Sequence, residues 1–98
     1  MGQGVEQNDT ESLKWYRLAA SNGQGEAQSK LGAKYALGHG VAQDYRRAYM
    51  WFSLAVVSGY AAAVETRDAA AKGLNSLELG EAQKMTQECQ ARKFKGCD

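Results

Sequence analysis

A block of this chain occurs twice. Gly2-Gln3-Gly4-Val5-Glu6-Gln7 returns 36 residues later as Gly38-His39-Gly40-Val41-Ala42-Gln43, and Trp15-Tyr16-Arg17-Leu18-Ala19 returns as Trp51-Phe52-Ser53-Leu54-Ala55. Gly23 returns as Gly59 and Ala27 as Ala63, so that nine of the 27 aligned positions in 2–28 and 38–64 are identical. Average residue usage gives about two such matches by chance. A period of this length is the mark of stacked supersecondary units, none of which buries its apolar face alone. Function in such arrays usually lies in an extended surface rather than in a cleft.

The residues that fill the period are helix formers. The chain has 16 alanines, eight valines and threonines together, and neither proline nor isoleucine. Little is left to build a sheet. Gly23, Gly38, Gly59 and Gly73 each close a segment of helical periodicity, at the place where a left-handed residue ends a helix. Five helices are expected, over 9–22, 25–37, 44–58, 60–72 and 76–93. Asn8 is the expected cap of the first, with Glu11 completing a capping box, and Asp44 caps the third. Ala48, Trp51, Phe52 and Ala55 form one inward stripe, and Ala27, Leu31, Gly32 and Tyr35 another. By the same spacing Trp15-Tyr16 and Trp51-Phe52 are core pairs rather than a stacking platform. Short connections at 22–25 and 58–60 make their flanking helices antiparallel neighbours. The longer loop at 38–43 needs its glycines for positive φ, and Val41 is its apolar plug.

A net charge of +1, with lysine and arginine scattered, gives no footprint for nucleic acid. The longest apolar runs are too short to span a bilayer, so no membrane partner is expected, and no secretory leader is visible at the start. His39 is the only histidine, without partners at a metal-ligand spacing, and reads as a solvated loop residue. The glycine pairs lack the Lys-Ser/Thr of a phosphate loop. No nucleophile–base motif is present, so neither catalytic residue, metal nor cofactor is expected.

Ala27, Leu31, Gly32 and Tyr35, then Gly38, Gly40, Val41, Gln43 and Asp44, then Ala48, Trp51, Phe52 and Ala55, then Gly59, resemble a Sel1-like repeat. These repeats are relatives of tetratricopeptide repeats. The resemblance implies an all-α, α/α solenoid of antiparallel helix pairs stacked in a right-handed superhelix. It divides the single domain 1–98 into a partial repeat (2–23), a full repeat (24–59), a degenerate repeat helix (60–75) and a capping helix with tail (76–98). Arg67-Asp68 stands where Leu31-Gly32 stood, as terminal repeats allow. The capping helix carries a stripe of Leu79, Ala82, Met85 and Cys89 and a wet face of Glu81, Lys84, Gln87, Glu88 and Arg92. In this register the first helix of the opening unit is missing, as in a piece of a longer array. Leu13, Trp15, Tyr16, Leu18 and Ala19 then carry more apolar surface than one helix pair covers, which points to a homodimer through 9–22.

The resemblance also supplies a function. Sel1-like proteins are protein–protein interaction scaffolds, and their first helices line the concave surface. Here that surface is Glu26, Ser29, Lys30 and Ala33 with Glu65, Ala69 and Lys72, for a protein or peptide partner; no aromatic anchor marks it. Cysteine-rich relatives have been linked to binding or hydrolysing β-lactams, which makes such an enzyme the alternative. Cys89 and Cys97 are offset by eight residues, like the paired cysteines of that branch. A turn at Gly96 would bring them into a disulfide, which implies a periplasmic or secreted chain. Two reduced thiols would instead fit the cytoplasm.

Overall fold

The computed structural model describes residues 3–98, with side chains from Glu11 onward. Among the described residues there are five helices and no strand. They are α1 (Gln3–Ser21), α2 (Gly25–Leu37), α3 (Tyr45–Val57), α4 (Ala63–Lys72) and α5 (Ser76–Ala91). Helix α3 is the hub: α2, α4 and α5 all pack on it, while α1 packs on α2.

The α2–α3 pair is the anchor of the fold. Leu31, Tyr35, Ala48, Trp51, Phe52, Leu54 and Ala55 are buried together. Gly32 lets the two helices approach: a Cβ there would lie 2.8 Å from Phe52 Cδ1 and 3.2 Å from the Ala48 carbonyl oxygen. The loop between them is tied to the end of α2. Gly38 (φ 72°) donates to the Lys34 carbonyl at 2.8 Å, Asp44 N to Tyr35 O at 2.9 Å, and Gln43 Nε2 to Ala36 O at 2.9 Å. Asp44 caps α3 as expected, accepting from Arg46 N at 3.0 Å and Arg47 N at 3.2 Å. Val41 packs half-buried against the core.

A buried polar contact joins three elements. Gln28 is fully buried, donating from Nε2 to the Ala20 carbonyl at 3.0 Å and accepting at Oε1 from Ser58 Oγ at 2.9 Å. The C-terminal ends of α1 and α3 are thereby fixed on the first turn of α2. A buried amide must find such partners, since leaving one unpaired is costly.

Several expectations need correction. Asn8 does not start a helix, because α1 runs through it from Gln3. Residues 3–7 of the first glycine block are therefore helical where the second copy is a loop. The second copy is held by carbonyls of α2. Gly23, Gly38 and Gly59 do take positive φ, but Gly73 has φ −85°. Its role is steric: a Cβ would meet the Tyr45 ring at 2.8 Å. Tyr60, Ala61 and Ala62 form a turn ahead of α4, whose buried residues are only Ala63 and Ala70. Asn75 and Glu78 make a reciprocal capping box on α5 at 2.8 and 3.0 Å. Helix α5 ends at Ala91, and the chain reverses at Lys93 (φ 55°) and Phe94 (φ 69°) as well as at Gly96.

Candidate functional site

Glu26 and Lys30 are exposed on α2, with Ser29 and Ala33 half-buried; Glu65, Ala69 and Lys72 are exposed on α4. The two sets do not share a cleft. Glu26 and Lys30 line a groove of about 370 Å³ between α1 and α2, together with Trp15, Tyr16, Ala19, Gln24 and Ala27. Lys30 and Ala33 continue into a shallower hollow of about 180 Å³ with Tyr16, Lys34, Leu37 and His39. Ser29, Glu65, Ala69 and Lys72 line neither.

Trp15 corrects the expectation that both aromatic pairs are core. It is 68% exposed, whereas its repeat equivalent Trp51 is 2% exposed. The cause is the neighbourhood. Trp51 sits on a helix covered by α2, α4 and α5, and Trp15 on one that packs against α2. Leu18 (55%) lies on the same face of α1 one turn later, and Leu37 (63%) is exposed at the end of α2. The groove thus has an exposed aromatic ring beside Lys30 and Glu26, at a residue whose repeat position reads as core and whose helix the sequence marks as carrying surplus apolar surface.

A second cluster forms where the tail folds back. Phe94 lies over Gly23, with Phe94 Cε2 3.4 Å from where a Gly23 Cβ would stand, and Lys95 Nζ donates to Asn22 Oδ1 at 3.3 Å. Asp98 then reaches α1 and α3: Trp51 Nε1 donates to Oδ1 at 2.9 Å and Arg17 Nε to Oδ2 at 2.6 Å. Arg17 is raised above the ordinary arginine value, first by the Tyr35 hydroxyl and also by Asp98. Tyr35 is raised above 10.0, chiefly by burial and further by the Asp98 charge. The Arg47 guanidinium lies 6.0 Å from the centre of the Tyr35 ring and is paired with Asp44 at 2.9 Å. No sequence motif marks Asp98.

Cys89 and Cys97 are placed as a disulfide pair, with Cα atoms 5.4 Å apart. This arrangement is consistent with an oxidising compartment. His39 is exposed at the rim of the shallow hollow. Among the described residues no group of three His, Cys, Asp or Glu side chains is placed to hold a metal ion, and no helix is long and apolar enough to cross a membrane.

A family model for the Sel1 repeat matches residues 1–24 and 25–56. A search of curated proteins finds no match to the chain. Sel1 repeats are generally protein–protein interaction modules and typically non-enzymatic adaptors, in keeping with the all-helical stack.

Proposed function

The chain belongs to the Sel1 repeat family, and from that premise we propose that it binds a protein partner in the groove between α1 and α2. The observation that carries this reading is Trp15, 68% exposed in a groove that also holds Tyr16, Glu26 and Lys30. Tryptophan and tyrosine are the side chains that most often dominate binding energy at interfaces, especially with polar groups around them to exclude water. A partner segment inserts an apolar side chain against Trp15 and Tyr16 and meets Lys30 and Glu26 with complementary charges. Ser29 and Ala33, and on α4 Glu65, Ala69 and Lys72, make secondary contacts with a longer segment along the concave side of the solenoid. The disulfide pair supports a periplasmic or secreted setting.

Affinity capture with the wild-type chain and with Trp15→Ser as baits tests the reading. A protein retained by the first and lost by the second is expected. Equal retention by both baits would remove the groove from consideration. The exposed Trp15 and Leu18 also favour a second occupant, another copy of this chain packed as a two-fold dimer through 9–22. Sedimentation at tens of micromolar separates the cases, since a dimer abolished by Trp15→Ser assigns the face to self-association. For the β-lactam alternative, a chromogenic β-lactam should remain uncleaved on incubation with the pure chain.

A further inference from the structure

The contact between Asp98 and the body of the solenoid has the form of ligand recognition. Both carboxylate oxygens are engaged by donors from separate helices, Trp51 Nε1 on α3 at 2.9 Å and Arg17 Nε on α1 at 2.6 Å. The indole belongs to a residue that is 2% exposed, so its N–H is fixed in direction by the core. Tyr35 on α2 flanks the guanidinium. Three helices thus converge on one carboxylate, and charge-assisted bonds of this kind are the stronger class of hydrogen bond. Asp98 borders two open clefts. One of about 670 Å³ is lined by Arg17, Tyr35, Val41, Gln43 and Arg47; the other, about 440 Å³, by Arg46, Met50, Met85 and Arg92. An extended segment centred on the Asp98 position would lie along both.

We propose that Arg17, Trp51 and Tyr35 form a recognition site for an aspartate or glutamate side chain on an extended segment of a protein partner, and that Asp98 fills it in cis. The tail is held by the Cys89–Cys97 pair, by Phe94 on Gly23 and by Lys95 on Asn22. A carboxylate tethered this closely acts at a high effective concentration, which an incoming one must outcompete. The occupant's chemistry is read from the one that is there. Arg47 is already paired with Asp44, so the charge left unmatched when Asp98 withdraws is that of Arg17. This site is separate from the Trp15 groove and stands or falls independently of it.

The indole N–H signals of the intact 15N-labelled chain test the proposal, since its two tryptophans give two resonances and Trp15 serves as the internal control. The probe is an end-blocked Gly-Asp-Gly peptide at millimolar concentration. In Asp98→Asn it should shift the Trp51 signal saturably, leave Trp15 in place, and bind about tenfold or more tighter than to wild type, as expected on removing a tethered competitor. Adding Arg17→Gln to Asp98→Asn should abolish the shift, and the Gly-Asn-Gly peptide should produce none. Cys97→Ser, with Asp98 present but less restrained, should fall between wild type and Asp98→Asn. No response in a folded Asp98→Asn chain, or an equal response in wild type, overturns the site. The same shift from acetate at equal concentration overturns the peptide assignment in favour of simple anion binding, and a Cys97→Ser chain identical to wild type overturns the role of the tether.

Discussion

Replacing Gly32 with alanine sets two effects of opposite sign against each other. In a helix interior alanine is favoured over glycine by about 0.8–1.0 kcal/mol. At Gly32 the new methyl would stand 2.8 Å from Phe52 Cδ1 and 2.9 Å from Cε1, against an ordinary carbon–carbon separation of about 3.5–4.0 Å. The ring must yield by roughly 0.7 Å or more, yet Phe52 is 3% exposed and the Ala48 carbonyl oxygen behind it, 3.2 Å from the methyl, is part of α3's backbone. Overpacking of this kind costs about 1–3 kcal/mol. The net expectation is a loss of up to about 2 kcal/mol, or a melting temperature lower by up to roughly 10 °C for a domain of this size. Gly80 supplies the control, because a Cβ there meets nothing within 4 Å on exposed α5. Gly80→Ala should therefore stabilise by about 0.8–1.0 kcal/mol. Urea melts followed by circular dichroism at 222 nm measure both. A Gly32→Ala chain more stable than wild type, gaining as Gly80→Ala does, would refute the close crossing of α2 on α3.

Three further outcomes follow from particular contacts. Gln28→Ala removes both hydrogen bonds of a fully buried amide and should cost about 2–3 kcal/mol, as groups stripped of a buried partner do; a change under about 0.5 kcal/mol, the usual surface value, would contradict the buried contact. Intact mass without reductant should be lower by two hydrogens, and reduction should lower stability by about 2–3 kcal/mol in the loop-entropy account; two alkylatable thiols in oxidised native protein would refute the pairing. Tyr35 holds its proton more tightly folded than unfolded, so the folded chain binds more protons above the ordinary value of 10.0. Stability must then fall as pH rises past that point, and Tyr35→Phe should fall less steeply in alkaline melts; an unchanged slope would remove Tyr35 as the cause.

Where helix ends were set by neighbouring residues, the sequence showed them. Helix α2 occupies 25–37 as expected, between the turn at Gly23 and the left-handed Gly38, and Asp44 caps α3. The disagreements arise where distant contacts decide. Asn8 and Glu11 form a local start signal, yet α1 runs through them from Gln3. Lys93 and Phe94 adopt left-handed backbone although neither is glycine, with Phe94 packed on Gly23 seventy-one residues away in the chain. No local pattern announces that contact, nor the one from Asp98 to Trp51. The two tryptophans make the same point for the candidate site. Trp15 and Trp51 hold equivalent repeat positions, and only the number of helices packed around each separates an exposed side chain from a core one.

The central claim is that the α1–α2 groove is the recognition face, and in-cell photo-crosslinking tests it most directly. A photoreactive residue placed at Lys30, inside the groove, is compared with one at Gln83, exposed on the capping helix α5. A discrete crosslinked species from Lys30 that disappears when Trp15→Ser is added, with none from Gln83, is the result expected. Crosslinking from Gln83 alone, or species from Lys30 that persist without Trp15, would contradict the account.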